Sequence, residues 1–87
     1  MPFYRDTLQL LPMECFLPGI TREEIMEEVR DQIMAYGCIH GQKSEDTVEW
    51  QIDADDLWDL HERVEDFRLS VIPWTDLDIR KDCVYED

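Results

Sequence analysis

The sequence predicts a small α+β domain: a mixed or antiparallel sheet of about three strands with two amphipathic helices packed on one face. Three observations predict it. Residues 22–36 and 57–67 each place apolar side chains at helical spacing, and residues 47–52 alternate strictly between apolar and polar. Two helical stripes and one pleated stripe hide together most simply as two layers around one core. With 87 residues there is room for one domain, residues 1–87.

The first helix has the clearest boundaries. Thr21 followed by Glu24 is a capping box, in which the hydroxyl accepts the amide hydrogen of residue 24. Pro18 and Gly19 supply the turn before it. Ile25, Met26, Val29, Ile33 and Tyr36 fall on one face, and Gly37 stands where a left-handed residue would end the helix. Glu23, Glu27 and Asp31, with Glu24 and Glu28, occupy the other side.

The second helix is predicted to start after Asp53 as its cap, with Leu57, Leu60, Val64 and Phe67 as its buried stripe. Asp55, Asp59, Glu62 and Asp66 form a row nearly opposite, roughly 16 Å long at helical rise. Between the helices, Val48, Trp50 and Ile52 alternate with Thr47, Glu49 and Gln51 as a half-buried strand. Residues 68–72 read as β-rich and are stopped by Pro73. Residues 7–11 are the candidate N-terminal strand, in competition with 15–17, and 37–46 read as a connecting loop. The segment 74–87 reads as a C-terminal tail that docks in part, because Trp74, Leu77, Ile79, Val84 and Tyr85 are too apolar to remain wholly in solvent.

Charge is the most informative part of the composition. Twenty-two acidic residues stand against eight basic ones, a formal net charge of −14. Residues 43–87 hold fifteen of the acids and five of the bases, so the field is concentrated in the second half. Such a field repels phosphate backbones and anionic lipid, which bind Lys and Arg clusters, so neither nucleic acid nor membrane is expected as a direct ligand. It accelerates encounter with a basic protein surface.

Nothing in the chain points to chemistry. Cys38 and His40 are one residue apart, but Cys15, Cys83 and His61 are too scattered to complete the paired spacing of structural zinc. His61 lacks the second histidine of a metalloprotease helix, since Glu65 stands in its place. The run from Asp53 lacks the glycine and the final glutamate of a calcium loop. No glycine-rich phosphate loop is present. The expectation is a non-enzyme with no metal, catalytic residue or cofactor. An odd number of cysteines, three, and an N-terminus without an apolar leader region favour a cytoplasmic protein with reduced thiols.

The candidate partner-binding residues are the acidic rows and their apolar neighbours. They are Asp55, Asp59, Glu62 and Asp66 with Trp58, and Glu23, Glu27 and Asp31 with Met34. Tryptophan and methionine are enriched at interfaces. In physical type the combination resembles DNA-mimic proteins, such as phage-encoded inhibitors of host nucleases and of CRISPR defence complexes. That likeness implies an acidic inhibitor or decoy on a basic, nucleic-acid-binding protein surface, acting as a monomer or small homo-oligomer. The alternatives are an immunity protein or antitoxin covering a basic toxin, and a small structural or assembly subunit.

Overall fold

The structure is a computed structural model and describes residues 1–86. Its elements, in chain order, are β1 (Phe3–Gln9), α1 (Arg22–Tyr36), β2 (Cys38–Gln42), β3 (Thr47–Asp53), α2 (Leu57–Val71) and β4 (Val84–Tyr85), with short 3-10 turns at Met13–Cys15 and Lys81–Cys83. The sheet is antiparallel, with four strands in the order β2-β3-β1-β4. Both helices pack against it. This βαββαβ order, with β1 and β3 central, is the connectivity of the split-βαβ or ferredoxin-like arrangement.

The core lies between the helices and one face of the sheet. From β3 come Val48, Trp50 and Ile52, all without solvent exposure, and from β1 come Tyr4 and Leu8. Opposite them lie Ile25, Met26, Val29 and Ile33 of α1, and Leu60, Val64, Phe67 and Val71 of α2. Trp50 is the centre of this layer. Its ring lies 4.5 Å from that of Phe67 and 5.1 Å from that of Tyr4, and Tyr36 meets Phe67 edge-on at 5.9 Å. Such aromatic pairs contribute about 0.5–1.5 kcal/mol each beyond their area.

The first helix forms as its sequence predicts. Thr21 Oγ1 accepts the Glu24 backbone N–H at 3.2 Å and donates to Glu24 Oε1 at 3.1 Å. Its end differs from expectation. Gly37 has φ −163°, which is extended, not left-handed. Glycine is needed there for another reason: a Cβ would run into the Gln51 carbonyl oxygen, where the helix end meets β3. The positive φ belongs to Gly19, at 92°, in the turn before α1.

Four further expectations are corrected. The cap of α2 is Asp56, whose Oδ1 accepts the Asp59 N–H at 2.8 Å, while Asp53 ends β3 opposite Phe3. Residues 68–71 continue α2. Val71 extends the stripe of Leu60, Val64 and Phe67 at helical spacing, and Arg68 Nη2 donates to Glu65 Oε1 at 2.7 Å. Pro73 then prevents further helix. Residues 38–42 are strand, paired with β3 through a register shift between Ile39 and Gly41. The N-terminal strand begins at Phe3, so Tyr4 enters the core.

Residues 74–85 run along the edge of the domain and touch it at several points. Leu11 N–H donates to the Trp74 carbonyl at 2.9 Å, Leu10 bridges Thr75, and Val84 and Tyr85 pair with Tyr4 and Phe3 at the sheet edge. Trp74, Leu77, Ile79 and Val84 pack on the core. No helix among the described residues is long and apolar enough to cross a membrane.

Candidate functional site

The α2 row sits on the solvent side of its helix because the opposite face is consumed by the core. Glu62 and Asp66 are exposed and have no ion pair or side-chain hydrogen bond among the described residues. Asp59 is half-buried and accepts from Arg63 Nε at 3.0 Å, one turn on. Asp55 is exposed but precedes the Asp56 cap, so it extends the row from the turn rather than from the helix. Arg68 is engaged by Glu65, and the guanidinium holds that carboxyl below its ordinary range. The cations of α2 therefore neutralise Asp59 and Glu65 and leave Glu62 and Asp66 uncompensated.

Trp58 stands beside this row with 74% of its surface exposed. A tryptophan so placed contributes nothing to the core and costs apolar hydration in the free protein. Leu57, expected in the buried stripe, is 48% exposed. The reason is the shifted helix start: Leu57 is the first residue of α2, at the mouth of a small cleft lined by Tyr4, Leu60 and Ile79. Trp74, by contrast, packs against the core.

The α1 residues form a different surface. Glu23, Glu27, Asp31 and Met34 line one side of an open groove of about 850 Å³, whose other side is Gln42, Ser44 and Glu45 of the β2–β3 hairpin. No residue of α2 lines it. The two sets of candidate residues thus lie on separate surfaces, one a convex helix face and the other concave. Sequence reasoning misses the groove's far wall, because residues 42–45 read as plain loop. Only the exposed Met34 hints at a non-core role.

The sheet face turned away from the helices carries a further polar group. Arg5 donates to Gln51 Oε1 from Nε at 3.0 Å and from Nη2 at 2.7 Å, and Gln51 donates to Asp53 Oδ1 at 2.7 Å. The guanidinium lies 5.5 Å from the Phe3 ring centre, and Phe3 stacks on Tyr85 at 5.1 Å. Here a cation is held among neutral and aromatic groups, so the acidity of the chain is not spread evenly over its surface.

Cys15 and Cys38 are exposed thiols, and Cys83 is half-buried, with its thiol pushed up by burial and then by Asp6 and Asp82. No cluster of three or more metal-ligating side chains occurs among the described residues. Comparison with protein-family models, curated proteins and solved structures finds no match.

Proposed function

We propose that this is an acidic binding protein that occupies a basic, nucleic-acid-binding surface of a partner protein, as an inhibitor or decoy of the DNA-mimic type. It acts by binding and not by chemistry. The observation that supports this reading is the α2 row, in which Glu62 and Asp66 are uncompensated and Asp55 and the Arg63-paired Asp59 lie in line with them, on a chain of net charge −14. A packed helix fixes the backbone positions from which Asp59, Glu62 and Asp66 project, so a partner's Lys and Arg meet carboxylates at a set spacing. Trp58, exposed beside the row, supplies an apolar anchor of the kind that dominates interface energetics. The free thiols of Cys15, Cys38 and Cys83 fit a cytoplasmic setting. Anti-defence activity against a nuclease or a CRISPR complex is the role that best matches this chemistry.

The test is charge reversal. Asp55, Asp59, Glu62 and Asp66 are replaced together by lysine, folding is checked by circular dichroism, and binding to the partner captured from host extract is measured across a salt series. The decoy reading expects the folded variant to lose binding, and nucleic acid to compete for the wild-type site. Exposed charges are screened over about 8 Å at physiological salt, so wild-type affinity also falls as salt rises. Unchanged affinity without salt dependence removes the reading. Salt-dependent binding without nucleic-acid competition would instead assign the protein to the immunity class.

A further inference from the structure

We infer that the groove between α1 and the β2–β3 hairpin is a second binding site, for a cationic amphipathic segment of a partner protein. The inference rests on the reading that the partner is basic, but it assigns to the groove a chemistry that the α2 row lacks.

The groove is built. Arg22 Nη1 lies 3.6 Å from Glu45 Oε2, and Arg30 Nη1 donates to Gln42 Oε1 at 2.7 Å, so two arginines of α1 tie the helix to the hairpin. Gln42 in turn donates to the Ser44 carbonyl at 2.7 Å. These exposed contacts span the groove, while the position of α1 against the hairpin is set by the core beneath it.

Its apolar side chains are methionines. Met13, Met26 and Met34 line it, three of the four methionines in the chain; Met34 is 58% exposed, Met13 is half-buried, and Met26 belongs to the core and forms the floor. Unbranched, polarisable thioethers adapt to differently shaped apolar side chains, and for that reason they recur on surfaces that receive peptide anchors.

Its rim is acidic and unpaired. Glu23, Glu27 and Asp31 follow one another at one-turn spacing, and none makes an ion pair or side-chain hydrogen bond among the described residues. Like charges at this spacing destabilise a helix by about 0.2–0.5 kcal/mol per pair. The groove's own cations offset this only in part: Arg22 is engaged by Glu45, Arg30 donates to the neutral Gln42 and keeps its charge, and four acids (Glu23, Glu27, Asp31, Glu45) against these two arginines leave the lining at net −2. A segment with an apolar stripe flanked by Lys or Arg meets both features at once. A nucleic acid or an anionic lipid is repelled by the same rim.

The experiment uses the whole chain with carbon-13 in its methionine methyl groups. The probe is a synthetic peptide with leucines at helical spacing and lysines between them, and its control has each leucine replaced by serine. Binding in the groove moves the methyl signals of Met13, Met26 and Met34 and leaves Met1, which lies outside it, in place. The serine peptide binds at least about tenfold more weakly, which corresponds to about 1.4 kcal/mol. Glu27→Lys with Asp31→Lys weakens the leucine peptide by a similar factor, and Glu62→Lys with Asp66→Lys leaves it within about twofold. Met34→Gln, a change at one exposed side chain, supplies the same readout if the double variant folds poorly. Unmoved methionine signals, equal binding of the serine peptide, or equal loss from the α2 variant each overturn the inference. A failed groove leaves the α2 charge reversal standing as a test of its own, and a failed row leaves the peptide result unchanged.

Discussion

Replacing Gly37 by alanine isolates the closest approach in the fold. The φ of Gly37 lies outside the left-handed region, so what meets an added Cβ decides the cost of alanine there. The added Cβ, however, would collide with the Gln51 carbonyl oxygen and lie 2.9 Å from Ile52 Cγ1. No rotamer change relieves contact with a backbone oxygen. Either β3 retreats, which disturbs the fully buried Val48, Trp50 and Ile52, or the last turn of α1 lifts and weakens the Gly37 N–H bond to the Ile33 carbonyl, 2.7 Å long. Overpacking typically costs about 1–3 kcal/mol, and a backbone collision belongs at the upper end. For a domain of this size about 3 kcal/mol lowers Tm by roughly 12–24 °C. Gly19→Ala is the control: its φ of 92° disfavours alanine, but nothing lies within 4 Å of the new Cβ. That change costs about 1 kcal/mol through the backbone alone. Urea and thermal melts followed by circular dichroism measure both. A Gly37→Ala variant within about 0.5 kcal/mol of the parent, or one less destabilised than Gly19→Ala, refutes the close packing of the α1 C-terminus on β3.

Two further outcomes follow from the core. The Tyr4 hydroxyl donates to Asp6 Oδ2 at 3.0 Å and accepts the Arg80 N–H at 2.9 Å, and burial raises its pKa above the ordinary 10.0, with Asp6 adding to the rise. A raised folded-state value means that Tyr4 stabilises fully below pH 10.0 and that stability declines as pH rises beyond it. Tyr4→Phe should therefore lose about 1–2 kcal/mol near neutral pH and flatten the alkaline decline, measured by urea melts across pH; an unchanged alkaline slope would show that Tyr4 does not govern it. Leu60→Ala should cost about 2–5 kcal/mol and Leu57→Ala under about 1 kcal/mol, because Leu60 is enclosed and Leu57 stands half in solvent. Equal costs in the same melts would place the start of α2 where the apolar spacing alone suggests.

Elements whose signals are local can be read from the chain without its fold. Thr21 and Glu24 mark the start of α1 within four consecutive residues, and the stripe from Ile25 to Ile33 repeats at the spacing that a helix needs. Alternation about Trp50 marks β3 in the same way. The helical acids Glu23, Glu27 and Asp31 of α1 and Asp59, Glu62 and Asp66 of α2 are legible too, since residues one turn apart share a helix face whatever the helix packs against, whereas Asp55 lies in the turn before α2. Val71 continues the α2 stripe in plain view, but Val71 and Ile72 are β-branched, and that local preference masks the period. What depends on residues far apart in the chain is set by tertiary contact. Cys38 to Gln42 has little strand character of its own and is strand because its backbone pairs with β3. Val84 and Tyr85 likewise require β1. Gly37 is required by Gln51, and Tyr4 is buried because Trp50 and the tail enclose it. The groove has α1 for one wall and the β2–β3 hairpin for the other, and both are placed by packing on the core between residues far apart in the chain. A periodic pattern records which face of an element is apolar; it carries no record of which other element will stand against the remaining faces, and for that reason the two candidate surfaces separate only in the folded chain.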